Sequence, residues 1–313
     1  MTTARTSQVV STPSAPARPA RQARPARRKK HYLVHNSPTL FIFMMILALY
    51  SAVPLLWLLF NATKSQGDIM STFGLWFGHD FNLIENIKQT FTYKDGVFAK
   101  WLLNTFMYVL VGAGGATFLA TLAGYGLAVF DFPGKKGVLA TVIGAIAIPG
   151  TALVVPTFLL FAKLGLTNTP WAIILPSLIS PFGLYLVMSY AKSGVPQGII
   201  ESARMDGAGE FRIFAQIVVP LLSPSIITVL LFAIVSTWNN YFLPLIMLND
   251  PKWYPLTVGL NEWNEQATGS STPEPIYNLV IAGALLTVIP IIIIFLMLQR
   301  YWESGLTAGS VKQ

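Results

Sequence analysis

The sequence predicts an all-α polytopic membrane protein with six transmembrane helices, and three observations predict it. Apolar residues make up 53% of the 313-residue chain and charged residues only 11%, whereas a soluble domain carries roughly 25% charged residues. The apolar residues gather into six runs, each of about twenty residues, which is the length a helix needs to cross the hydrocarbon core. Inside those runs there is no Asp, Glu, Lys, Arg or His.

Residues 1–38 come first and are set apart by composition. Arg5, Arg18, Arg21, Arg24, Arg27, Arg28, Lys29 and Lys30 occur there without one acidic residue, among Ala, Pro and Ser. Such a stretch buries too little apolar surface to fold and is expected to be a disordered basic tail. It accounts for most of the formal charge of +8. A basic segment directly before a span orients the chain and tethers it to anionic lipid, so no nucleic-acid partner is expected. It is too long and Pro-rich for a signal-peptide n-region, and the run that follows lacks an A-x-A site, so the first span is expected to be retained.

The spans are drawn at residues 39–60, 105–130, 138–161, 171–190, 221–248 and 277–298, forming one membrane domain over 39–298. The fourth is interrupted by Pro176, Pro181 and Gly183, which membrane helices tolerate when neighbours satisfy the freed backbone groups. With the N-terminus inside, the cytoplasmic segments hold 15 Lys and Arg and the external segments six. That bias places both termini, including a tail over 299–313, on the cytoplasmic side of the cell membrane. Two long segments, 61–100 and 249–276, then face outward.

Several chemistries are excluded. There is no cysteine, hence no disulfide, thiolate metal site or cysteine nucleophile. His31, His35 and His79 all lie outside the apolar runs, which leaves no histidine metal site or proton relay within the membrane. Ionisable groups inside spans mark the pathways of ion-coupled carriers, and their absence disfavours such a carrier, although sodium held by backbone carbonyls stays open. No G-x-x-x-x-G-K-[ST] phosphate loop occurs; Gly134-Lys135-Lys136-Gly137 has the wrong spacing. Energy for active transport must enter through another chain.

Between the fourth and fifth spans, within a cytoplasmic loop over 192–220, residues 197–220 read QGIIESARMDGAGEFRIFAQIVVP. Two short helices with a break are expected, the first ended by Gly207 at positive φ and the second capped by Asp206. The first helix would show Ile199, Ile200 and Ala203 close to one face and set Glu201 and Arg204 one turn apart. The stretch resembles the EAA loop of importer permeases through Glu201, Ala203, Asp206, Gly207, Ala208, Phe214, Ile217 and Pro220. Ser202 and Val219 depart mildly from that pattern. The resemblance implies the permease subunit of a binding-protein-dependent ABC importer with the type I fold. This loop would then be the coupling helix seated on a separate ATPase, with Glu201 as a polar contact and Gly207 as the bend. It also implies that the chain is not an enzyme and binds no cofactor itself, ATP and magnesium belonging to the ATPase dimer.

Three further stretches resemble the carbohydrate-uptake, maltose-transporter branch of that family. They are the Trp238-Asn239-Asn240-Tyr241 segment, the Asn104-Thr105 opening of the second span, and the tail Gly305-Leu306-Thr307-Ala308-Gly309-Ser310-Val311-Lys312. The tail implies a second ATPase contact through Thr307, Ala308, Gly309 and Lys312. For the substrate, aromatic faces stack on sugar C–H surfaces and amides bond hydroxyls, which makes Trp238, Asn239, Asn240 and Tyr241 the candidates; interface anchoring and helix-to-helix bonding are the competing roles. The implied assembly holds this chain, a second homologous permease, an ATPase dimer and an external solute-binding protein that could meet residues 61–100. Within the family, glycerol phosphate and polyamine are the alternative solutes, and a sodium-coupled secondary transporter is the alternative class.

Overall fold

The computed structural model describes residues 38–269 and 273–308, with the backbone alone over 300–308. The basic tail, and Gly309 and Lys312 of the C-terminal motif, lie outside the described residues, as do the side chains of Thr307 and Ala308. The chain divides into two units, 1–50 and 51–313. The first contributes the opening turns of helix α1 (Pro38–Ala62), whose apolar side chains from Leu40 to Tyr50 are largely exposed.

The second unit holds the remaining helices: α2 (Gln66–Ser71), α3 (Leu83–Tyr108), α4 (Gly114–Val129), α5 (Lys135–Ala147), α6 (Val154–Lys163), α7 (Trp171–Ser177) and α8 (Pro181–Gly194). They continue with α9 (Gln197–Met205), α10 (Glu210–Ile213), α11 (Val219–Leu221), α12 (Ser223–Trp238), α13 (Phe242–Met247), α14 (Leu256–Thr268) and α15 (Tyr277–Ala308). Among the described residues four helical stretches are long and apolar enough to span a membrane, and six are present when two sharply bent pairs each count as one. The expected six-span, all-helical architecture is therefore present, with corrections to its boundaries.

The fourth drawn span is interrupted between Ser177 and Pro181, and the third and fifth are sharply bent, the fifth by 80° between Leu221 and Ser223. The third breaks between α5 and α6 with a bend of 101°, because Ile148 turns extended ahead of Pro149 and a 3₁₀ turn over Gly150–Leu153 follows, as proline disfavours helix in the residue before it. The fifth stops at Trp238. Residues 239–241 leave the helix, and α13 is a separate short piece. The second span begins earlier than drawn, since α3 is helical again from Val97 and continues through a π turn at Val109–Ala113 into α4. The sixth span runs over Tyr277–Gln299, and its helix continues beyond it to Ala308.

Helices α4 and α8 make the tightest pairing, and small residues permit it. A Cβ on Gly124 would sit 2.9 Å from both the Leu184 carbonyl and the Val187 side chain, and one on Gly183 would sit 2.8 Å from Val229. Without a water-driven force between helices in lipid, such close backbone approach supplies the packing energy. Around this contact Ala120, Tyr125, Val187, Ala191 and Val229 form one core with Ile200, Ala203, Ile213 and Phe214.

The first turns of the helix from Val97 carry a second core. Phe98 and Trp101 pack against Trp263 of α14, with ring centres 6.1 and 5.0 Å away. Gly259 lies against the Trp101 ring, so closely that no Cβ would fit. Segment 249–276, expected only to face outward, contains this packed helix. One face of α3 staples the chain ahead of it. Trp101 Nε1 donates to the Pro251 carbonyl at 2.9 Å, Asn104 Nδ2 to Lys252 and Tyr254 at 2.8 and 3.0 Å, and Tyr108 to Trp253 at 2.7 Å. Thr105 Oγ1 accepts the Leu256 N–H at 2.9 Å. The Asn104-Thr105 pair thus has a structural duty.

Just before Val97, Tyr93 is extended and Lys94, Asp95 and Gly96 take φ values of 45°, 57° and 71°. Two non-glycine residues in the left-handed region cost about 1–2 kcal/mol each, so this bend needs external support. Lys94 Nζ donates to Gln266 Oε1 at 2.7 Å and approaches Glu274 at 3.8 Å, while the Tyr93 hydroxyl donates to Glu274. Nearby, Ser65 caps α2 and Asp68 receives both the backbone N–H (3.1 Å) and Nδ1 (2.7 Å) of His79.

Two expectations follow for stability. Gly124→Ala destabilises the purified protein by about 1–3 kcal/mol through overpacking. Gly126→Ala, where a Cβ meets nothing within 4 Å, leaves it unchanged or slightly firmer; thermal unfolding in detergent separates the two. The Asp68 bond raises the His79 pKa, and the same bond holds Asp68 below its ordinary value. The His79 contribution is therefore present below the ordinary histidine value and fades as pH rises through the raised one, and that of Asp68 fades only in strong acid. His79→Ala should lower the unfolding temperature near pH 6 more than near pH 9.

Candidate functional site: the α9–α10 hairpin and the break after Trp238

Helix α9 ends where the sequence places its stop. Gly207 has φ +80°, the Ala208 N–H bonds the Ala203 carbonyl and the Gly207 N–H bonds the Arg204 carbonyl, both at 3.0 Å. This Schellman arrangement satisfies carbonyls that would otherwise be orphaned. The cap of the next helix differs from expectation: α10 starts after Gly209, and Asp206 instead closes α9 as its last half-turn residue. The Gly207 turn lies between Asp206 and α10, so its carboxylate sits too far back to reach the free N–H groups of that helix. It is exposed.

The inward face of α9 consists of Ile200 and Ala203, 2% and 9% exposed. Ile199 was expected with them and is instead 43% exposed, because a step of about 100° per residue carries it off the stripe. Ile213 and Phe214 of the following segment are also buried, Phe214 with its ring 5.4 Å from that of Tyr125. Ala203 and Phe214 therefore seat the hairpin on the bundle, Ala208 is half-buried, and Glu201, Gly207 and Pro220 face outward.

The charged residues pair differently from the expected one-turn pair. Arg204 reaches across the turn to Glu210, Nε to Oε1 at 2.6 Å and Nη2 to Oε2 at 3.2 Å. Its guanidinium also lies 5.9 Å from the Phe130 ring centre at the end of α4. Glu210, missed in the sequence reading, is held below its ordinary carboxylate pKa by Arg204, so the pair is ionised near neutral pH. Met205 and Phe211 also escaped that reading; they are 88% and 78% exposed.

At the break after α12 the four aromatic and amide candidates separate. Trp238 is buried, with its ring 5.3 Å from Phe106 and edge-on to it. Asn239 is exposed and turns its Nδ2 back to the Val235 carbonyl at 2.9 Å. Asn240 is half-buried, and its carbonyl accepts from Thr257 in the first turn of α14 at 2.7 Å. Tyr241 is half-buried, and its hydroxyl is unpaired among the described residues. Trp238 thus anchors the core, while Asn239, Asn240 and Tyr241 retain accessible surface.

A bundle of membrane-length helices, with an amphipathic hairpin built into its core at the ends of α4 and α8, has the architecture of the membrane component of a transport machine. The family described as "Binding-protein-dependent transport system inner membrane component" matches residues 32–307, and the chain belongs to it: a transport permease subunit, not an enzyme. It is 32% identical to the arabinooligosaccharides transport system permease protein of Bacillus subtilis, over 87% of this chain and 94% of that protein. It is 30% identical to the lactose transport system permease protein of Rhizobium radiobacter, over 86% of this chain and 94% of that one. Its fold matches a chain in the crystal structure of a bacterial ABC transporter involved in the import of the acidic polysaccharide alginate. The TM-score is 0.74 at 22% identity, with 85% of this chain and 95% of that chain covered.

The turn gives a sharp expectation. A Cβ on Gly207 or Gly209 would meet nothing within 4 Å, but only Gly207 has positive φ. Gly207→Ala therefore strains the backbone by about 1 kcal/mol and disturbs the hairpin, whereas Gly209→Ala does not. Hydrogen exchange over 200–213 should quicken in the first variant alone.

Proposed function

We propose that the chain forms one half of the translocation pathway of an ATP-driven importer for a sugar or oligosaccharide. The observation that carries this reading is the α9–α10 hairpin, whose inner face is continuous with the core of α4, α8 and α12. A force applied to the hairpin is transmitted to three spans at once. The proposed assembly comprises a second homologous permease, an ATPase dimer that binds ATP and magnesium, and an extracytoplasmic solute-binding protein. Lys and Arg, 15 against six, support an orientation in the cell membrane with both termini and the hairpin cytoplasmic. Nucleotide-driven closure would shift the bundle between inward and outward states, as alternating access requires.

The sugar reading draws on the relatives, whose names include arabinooligosaccharides and lactose transport, and on the chemistry of Asn239, Asn240 and Tyr241. Amides and a phenol bond hydroxyls in either direction. Helix α12 unwinds at these residues, and non-helical backbone within a membrane is stable only against protein or a wet cavity. The C-terminal motif, Thr307, Ala308, Gly309 and Lys312, is assigned a second ATPase contact on the same family resemblance.

The reading is tested by tagging the chain, purifying it from its native membrane in mild detergent and identifying what accompanies it. Wild type should retain an ATPase and a second permease, and Gly207→Pro should lose the ATPase while still inserting. Deleting Thr307–Gln313 should weaken retention less. Energy-dependent uptake of labelled lactose or arabino-oligosaccharide should fall with Asn240→Ala while ATPase retention holds. Intact wild-type chain that never carries an ATPase would sink the proposal.

A further inference from the structure

The Arg204–Glu210 pair bridges the Gly207 turn from six residues apart and contacts it with two parallel bonds. Its side chains are 39% and 47% exposed, and an isolated pair at that exposure adds little to global stability. What a two-point guanidinium–carboxylate pair does supply is direction, because the planar fork accepts the carboxylate in one orientation. Phe130 steadies the same guanidinium from the end of α4, which ties the pair to the bundle as well as across the turn.

Each member of the pair is followed in sequence by a large apolar side chain that the bundle does not use. Met205 follows Arg204 and Phe211 follows Glu210, and they stand 88% and 78% exposed. Around them Glu201, Ser202, Asp206, Gly209 and Arg212 are exposed too, which sets the two apolar side chains in a polar rim. Exposed Met and Phe set in a polar rim are the composition of an interface anchor. The bonded pair closes the segment from 204 to 210, and this fixes the spacing between the two anchors.

We propose that Arg204 and Glu210 form a positioning clamp that presents Met205 and Phe211 as paired apolar anchors to a groove on the partner ATPase. The proposal rests on the reading of this hairpin as the joint with that subunit. Glu201, Asp206 and Arg212 make no ion pair among the described residues, so the complementary surface has an apolar floor and a rim with cationic side chains facing Glu201 and Asp206 and an acceptor facing Arg212. Met suits the floor because its unbranched thioether adapts to irregular gaps. The clamp residues act through the anchors and need not touch the ATPase.

The test uses the full chain, tagged and extracted with its assembly in mild detergent, with retained ATPase read per permease and substrate-stimulated ATP hydrolysis measured alongside. Met205→Ser and Phe211→Ser should each lower retention about tenfold, the loss expected of an interface anchor worth about 1.4 kcal/mol or more. Arg204→Glu alone should behave similarly, and combining it with Glu210→Arg should restore most of the retention, a rescue that loss of folding would not permit. Arg204→Lys, which keeps charge without the fork, should lower stimulated hydrolysis more than retention. If wild type holds the ATPase and the Met205→Ser, Phe211→Ser double variant holds it equally well, the anchor assignment is overturned. Failure of the charge exchange to rescue would overturn the clamp. Absence of ATPase from wild type would instead defeat the reading of the hairpin itself, and is distinguishable because no variant is needed to see it.

Discussion

The close approach of α4 and α8 is the contact on which the rest of the structure depends. Glycines at 124 and 183 bring the two backbones within reach of the Leu184 carbonyl and Val229, and in lipid that proximity replaces the hydrophobic effect as the source of packing energy. Because α8 leads directly through Val195 into α9, the same core that holds the spans also receives Ile200 and Ala203. The hairpin is consequently an extension of the bundle. A mobile loop of the same sequence would satisfy the motif but transmit no displacement.

The spans and the Gly207 turn were legible from sequence for a simple reason. Each follows from local rules: a run of apolar residues long enough for the membrane, and a glycine placed where a helix needs a left-handed stop. The breaks within the third and fifth spans were less legible. Pro149 marks the first, and Pro244, which has no N–H to give the Asn240 carbonyl four residues back, marks the second; the carbonyl so freed is taken by the Thr257 hydroxyl. Nothing short of the tertiary arrangement reveals that partner.

Helix α14 shows a different kind of blindness. Its Leu256, Gly259, Trp263 and Ala267 recur at helical spacing and are all buried, a pattern that was present in the sequence but hidden by the acids on its other face. Segment 249–276 was read for its side of the membrane and not for its secondary structure. The Arg204–Glu210 pair was likewise hidden: charges six apart do not meet on one straight helix. They meet here because the Gly207 turn folds α10 back toward α9, so the pair became visible only after the turn itself had been built.

These local solutions share a physical logic. Several departures from regular helix are held by side chains: Lys94 and Tyr93 by Gln266 and Glu274, the 251–256 strap by Trp101, Asn104, Thr105 and Tyr108, and the hairpin by Arg204, Glu210 and Phe130. The long helix from Val97 to Val129 carries α14 against its first turns and the hairpin's guanidinium beside its end. Helical hydrogen bonding, continuous through the π turn at Val109–Ala113, makes that helix stiff along its axis, so a tilt imposed at one end displaces the other. The irregular segments are where such a tilt can be taken up, and their polar supports are what would have to loosen for it to happen. Stiff rods joined by supported breaks are the parts a permease needs, and in this chain the supports are polar contacts near the ends of the helices, where exchanging one partner for another costs least.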